Sequence, residues 1–197
     1  MVSETAPRRA DARRVKERVL GRAIDVLRGE PDASMATVAA GVGVHRATLY
    51  RHFPTRDALM GCLTERATAE GRHIVAEIAA DPAELRQLRK LCTAMTEFGD
   101  KYQFLIGTAP VLNTGADPIG LATLMSQWQE AGILRGELTP SWLAASFTSL
   151  AIALHADSGP LSASVEFGCR AELLFESFAF GASATDRLPT ASAARSR

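Results

Sequence analysis

A chain of 197 residues has room for one substantial core or two joined ones, and its 22 Lys and Arg against 22 Asp and Glu leave no formal charge. No stretch reaches the ~18 apolar residues of a membrane span, and the polar, basic segment Met1 to Arg14 lacks the apolar run of a signal peptide, which sets the membrane and secreted classes aside. The charge is unevenly placed: residues 1–66 hold 12 basic and 8 acidic side chains and the remainder 10 and 14, the asymmetry expected when one end of a molecule meets phosphate.

The three cysteines, Cys62, Cys92 and Cys169, are far apart, and no two have metal-ligand spacing. They read as reduced core thiols in a cytoplasmic protein, with a redox-sensing cysteine as the alternative. No internal repeat, Gly-rich phosphate loop or catalytic set is legible. Gly41-Val42-Gly43 opens like a dinucleotide fingerprint, but Arg46 occupies the third glycine position and no strand precedes it.

Taken in order, residues 1–9 are expected to be an irregular arm. Its Arg8 and Arg9 are either solvated or able to reach phosphate or the minor groove. A helix is predicted from about Asp11 to Arg28, with Val15, Val19, Leu20, Ala23, Ile24 and Leu27 as its apolar stripe, ended by Gly29-Glu30-Pro31-Asp32. A second, short helix carries Met35, Val38, Ala39 and Val42 on one face, behind the capping residue Ser34. Gly43 supplies the turn, Val44 re-enters the core, and a third helix puts Leu49 and Phe53 inward until Pro54 stops it. Val19, Ala23, Leu27, Val38, Val44, Leu49 and Phe53 are the expected core of this three-helix unit.

Two helices joined by a glycine turn, the second basic on its outer side, make a helix-turn-helix, whose second helix would enter the major groove. The run Gly43-Val44-His45-Arg46-Ala47-Thr48-Leu49-Tyr50-Arg51-His52-Phe53-Pro54, with Arg56, Ala58 and Leu59, resembles the signature of TetR-type transcriptional repressors. In that family the segment ends in Leu-Tyr-x-His-Phe and a basic residue opens the next helix. The resemblance covers about residues 10–66. It implies a DNA-binding regulator in which Ser34 caps the second helix and touches phosphate, and Arg46, Ala47 and Thr48 face the groove. Arg suits guanine O6 and N7, and the Ala methyl suits a thymine methyl. Tyr50, Arg51, His52 and Arg56 would hold phosphates. His45 departs from the commoner Ser or Thr. It is a poorer cap, and its phosphate contact would call for protonation. His45 and His52, seven apart, share a helix face but make no metal site without further ligands.

Thr55 caps the next helix, predicted from Arg56 to about Ala80 and shared by both parts of the molecule, until Asp81-Pro82 ends it. Further helices are expected from Ala83 to Gly99, from Asp100 to about Ile106, and from Pro118 to Ala131 with Gly132 at its C-terminal end. Thr139-Pro140 starts one that runs to about Ala156, and the last spans about Ser162 to Phe180. Met95, Phe98, Tyr102, Met125, Trp128 and Phe147 are core residues first and pocket lining second, with Tyr102, Gln103, His155 and the Trp128 indole N–H as polar anchors for a small apolar ligand. His155 reads first as a satisfied core histidine and only second as such an anchor.

The last two helices are apolar on nearly every side, which calls for burial on every side. Phe147, Leu150 and Leu154, with Phe167, Leu174 and Phe178, are the candidate homodimer surface. TetR-type proteins also pair through two such helices from each chain.

The expectation is therefore an all-α protein. Residues 10–55 form a DNA-binding unit, 56–181 a ligand-binding and dimerisation bundle, and 182–197 an irregular tail. It would be a repressor released from a palindromic operator by a ligand, with no catalytic residue, cofactor or metal. The rival readings are a regulator that answers to no small molecule and an enzyme with its site in the bundle.

Overall fold

The computed structural model describes residues 5–106, 117–155 and 167–182, with side chains over 13–106, 117–155 and 169–181. Among these residues there are α-helices and one 3-10 turn, and no strand. The fold is all-α, as the periodicity requires. The helices are α1 (Thr5–Gly29), α2 (Met35–Val42), α3 (Arg46–His52), α4 (Arg56–Ala80), α5 (Leu85–Tyr102), α6 (Leu121–Glu130), α7 (Pro140–Ala153) and α8 (Phe167–Ala182), with the 3-10 turn Gln103–Leu105 after α5. The expected tail after residue 182, the loop before Asp117 and the turn before α8 fall outside the described residues. No helix among them is long and apolar enough to cross a membrane.

Helix α1 begins at Thr5, ahead of the expected Asp11, so residues 5–9 are helical rather than an irregular arm. Pro7 is tolerated there, because the first N–H groups of a helix have no intrahelical acceptor to lose. Helix α5 also departs from expectation. It continues through Gly99 to Tyr102, where a break and a new helix were predicted. Gly99 is present for close approach and not for a turn: a Cβ there would lie 2.4 Å from the His155 ring. Helix α6 starts at Leu121, later than the expected Pro118, because the Asp117 carboxylate accepts from the backbone N–H groups of Gly120, Leu121 and Ala122 at 3.1, 2.8 and 2.7 Å. Those bonds satisfy donors that a helix start leaves unpaired.

Other ends follow local chemistry as expected. Thr55 Oγ1 accepts from the Ala58 N–H, and Thr139, followed by Pro140, accepts from the Trp142 N–H. After α6, Gly132 adopts φ 74°, while its N–H reaches Gln129 O and the Ile133 N–H reaches Trp128 O. This pair of bonds closes a helix C-terminus on a left-handed glycine.

The described residues fall into two compact units. One takes those of Met1–Glu70 and Asp100–Pro110, the other those of Gly71–Gly99 and Val111–Arg197. The division falls within α4, at Glu70/Gly71, and not at the helix start. It also gives the end of α5 and the 3-10 turn to the first unit.

In the first unit Val19, Ala23, Leu27, Val38, Leu49 and Phe53 are fully buried, as expected. Val44 is only half-buried. Its backbone closes the turn onto Ala39, and its side chain is left at the margin of the cluster. In the second unit Leu88, Leu91, Leu124, Trp128, Phe147 and Leu174 belong to a single apolar cluster, in which Phe147 meets Phe178 edge to face at 5.2 Å.

Candidate nucleic-acid interface

Helix α3 is placed by three devices in the first unit. At the turn, Gly43 has φ 76°, and the Gly43 and Val44 N–H groups return to Ala40 O and Ala39 O, both at 3.0 Å. Arg22 of α1 donates to Val42 O at 3.2 Å, tying the end of α2 to α1. Leu49 and Phe53, both fully buried, fix the rotation of α3 about its own axis, so its opposite side is turned outward.

On that outward side Arg46, Ala47 and Arg51 are exposed, and Thr48, Tyr50 and His52 are half-buried. Ser34 caps α2, its hydroxyl accepting from the Thr37 N–H at 3.1 Å. His45, the poorer capping residue, still closes the start of its helix. It is the N-cap of α3, its Nδ1 accepting from the Ala47 N–H at 3.3 Å. An imidazole accepts at Nδ1 only when that nitrogen carries no proton, so the cap selects the tautomer with its proton on Nε2. That N–H remains a donor. His45 can therefore cap the helix and offer a hydrogen bond to an anion without being protonated.

Arg56 has partners within its own unit. Its guanidinium donates to the carbonyls of Pro31 and Ala33. It pins the segment between α1 and α2 to the start of α4, which steadies α2 and the turn beyond it. Sequence reasoning missed this role, and it missed Arg22, because none of the three carbonyl partners leaves a mark in the residue pattern.

The first unit also holds a polar cluster. Glu70 accepts from Lys101 Nζ at 2.7 and 2.8 Å and from the Tyr102 hydroxyl at 2.8 Å. Burial pushes the Glu70 carboxyl up, but the bonds from Lys101 and Tyr102, with the Lys101 and Arg66 charges, outweigh it and hold Glu70 below its ordinary range. Burial, then the Glu70 partner, push the Tyr102 phenol up to about 12.

The residues expected to line a pocket are divided between the two units. Tyr102 and Gln103 belong to the first unit, where Tyr102 is engaged with Glu70. Met95, Phe98, Met125, Trp128 and Phe147 lie in the second. Of these Met125, Trp128 and Phe147 are sealed in the apolar cluster, with Phe98 packed against it. His155 is buried, its Nδ1 2.7 Å from Ala151 O and its Nε2 3.2 Å from Thr96 O, so both ring nitrogens face backbone carbonyls of its own unit.

The expected dimer surface also sits differently. Phe147, Leu154, Leu174 and Phe178 are buried within their own chain, Leu150 is half-buried, and the Phe167 side chain lies outside the description. Among the described residues, the large apolar side chains left in the open on α7 and α8 are Trp142, 54% exposed, and Phe180, 69% exposed. The alternation of inner and outer positions on helices apolar all round is not legible from composition.

Residues 26–61 match the family model described as bacterial regulatory proteins, tetR family. The chain is 27% identical over 150 residues to the HTH-type transcriptional repressor LfrR of Mycolicibacterium smegmatis, a match covering 70% of this chain and 75% of that protein. Among solved structures, the TetR-like regulator LfrR from Mycobacterium smegmatis in complex with proflavine superposes with a TM-score of 0.68 at 20% identity, covering 91% of this chain and 99% of that one. A TetR-family transcriptional regulator from Pectobacterium atrosepticum gives 0.63 at 21% identity over 91% and 99%. The matched segment runs from the end of α1 through α2 and α3 into the start of α4, which is the part of the chain built around the outward side of α3. Signature, family model and fold agree: residues 26–61 match the N-terminal domain of the TetR type, and the chain as a whole is similar to transcriptional regulators of that type.

Proposed function

We propose that the protein is a cytoplasmic repressor that binds a palindromic operator as a homodimer, reads it with α3, and is released by a small apolar ligand. The observation that carries the DNA-reading part is α3 itself. It is capped at His45, fixed in rotation by Leu49 and Phe53, and presents Arg46, Ala47 and Thr48 at its N-terminal end. That end is the one a recognition helix turns to base edges. Arg46 would read guanine, and the Ala47 methyl would meet thymine. Ser34, His45, Tyr50, Arg51 and His52 would hold phosphates, with Arg56 acting on the domain's own loop. On this reading the first unit serves DNA, and the second serves dimerisation and ligand.

Ligand control is supported by the proflavine complex of the LfrR neighbour. The helices α4 and α5 each carry residues of both units, which gives a ligand in the second a covalent route to the first. A second reading, a regulator without a small-molecule ligand, is favoured by the sealed packing of Met125, Trp128 and Phe147. Proflavine titrated onto the protein, alone and with duplex DNA selected from a random library, tests the two. Ligand control predicts weaker proflavine binding in the presence of that DNA, once the dye bound by the DNA alone is subtracted, by the same factor as proflavine weakens DNA binding. Equal affinities in both titrations, or no binding, would leave the regulator without this class of effector.

A further inference from the structure

We infer that Tyr50 is a positioning residue for Arg46 and sets the direction from which the Arg46 guanidinium reads a base. The inference rests on the proposed DNA-reading role of α3. The two residues are four apart, so they are neighbours on one helix face. The Arg46 guanidinium carbon lies 5.3 Å from the centroid of the Tyr50 ring, and Nη2 donates to the Tyr50 hydroxyl at 3.4 Å. Arg46 is exposed while Tyr50 is half-buried, so the ring is the better-held member of the pair. A long exposed arginine samples many rotamers. Here the quadrupole of the ring and the hydroxyl together favour those that lay the guanidinium along α3.

A guanidinium has five N–H donors in a fixed fork, and the bond to the hydroxyl uses one of them. Enough remain for a two-pronged contact with a guanine edge. The Tyr50 hydroxyl, while accepting from Arg46, keeps its own hydrogen and can still donate to a phosphate. One side chain thus links a sequence-independent contact to a sequence-dependent one. Arg51, the next arginine along, has no ring or hydrogen-bond partner among the described residues, which suits a phosphate contact that needs no fixed direction.

The test is a double-mutant cycle on the full chain. A randomised duplex library yields the preferred site, and discrimination is the affinity for that duplex divided by the affinity for one altered at the base pair that Arg46→Ala no longer distinguishes. Tyr50→Ala is expected to lower this ratio about two- to fivefold. Tyr50→Phe, which keeps the ring, should retain most of it. In the Arg46→Ala background, Tyr50→Ala should leave the ratio unchanged. An equal loss of affinity for both duplexes would make Tyr50 a phosphate contact only and overturn the inference. So would an Arg46→Ala variant that still distinguishes every base pair. A DNA-free readout is the ring-current shift of the Arg46 side-chain resonances, expected to be lost in Tyr50→Ala and kept in Tyr50→Phe. No shift in the unmodified protein would also overturn it. A library that enriches no sequence would instead remove the DNA-reading proposal, and this inference with it.

Discussion

At His45 one imidazole combines two tasks. It closes the start of α3 through Nδ1 and keeps Nε2–H available. Replacing it with Ala should cost about 0.5–1 kcal/mol of stability through the lost cap, whereas Ser, a better cap, should hold or raise stability. Chemical denaturation of the two variants checks both directions. Glu70 makes a second residue-scale case. Its folded-state carboxyl sits below its ordinary range, so its stabilising effect is present above the ordinary value near 4.5 and is lost as pH falls through the lower folded value. Glu70→Gln should therefore flatten the acid limb of the stability profile. At neutral pH it should cost about 1 kcal/mol, a modest figure because the pair with Lys101 is partly solvated. Thermal melts of both proteins from pH 7 to pH 3 would show parallel curves if Glu70 played no such part. Ser34 and Thr139 were legible as caps because a cap is a matter of adjacent residues. The roles of Arg56 and Tyr102 were not, since each is set by a partner distant in sequence.

Helix starts and stops show the same division between local and tertiary causes. Gly43 and Gly132 end helices, with φ of 76° and 74°, and their place just after an apolar stripe announces it. Gly99 follows a stripe too, yet α5 runs through it, because the glycine makes room for the buried His155 ring. No local pattern distinguishes the two cases. Gly99→Ala should destabilise the protein by about 1–3 kcal/mol, since the ring must leave a packed site. Gly61→Ala, in α4 with nothing within 4 Å of the added carbon, should stabilise by about 0.5–1 kcal/mol. Urea denaturation of the pair checks the opposite signs. Two stabilising results would mean that the His155 contact gives way freely.

For the whole molecule, the all-α architecture and the DNA-binding segment could be read from periodicity and signature. The inner and outer sides of α7 and α8 could not, because both helices are apolar nearly all round. The structure separates them. Leu174 is 1% exposed inside its own chain, and Phe180 is 69% exposed. Leu174→Glu should then unfold the chain, because it forces a charge into an apolar core. Phe180→Glu should leave a folded chain that associates more weakly. Light scattering combined with circular dichroism separates the two outcomes, and a Phe180→Glu variant as dimeric as the parent would move the interface elsewhere.

The central claim is that two copies of α3 read one two-fold DNA site. Mass photometry of the protein on its selected duplex, with affinity followed across a salt series, measures it most directly. Two chains per duplex are predicted, on inverted half-sites about 34–36 Å apart, with log affinity falling linearly against log salt. One chain per duplex on an unrepeated site, or equal affinity for selected and random DNA, would contradict it.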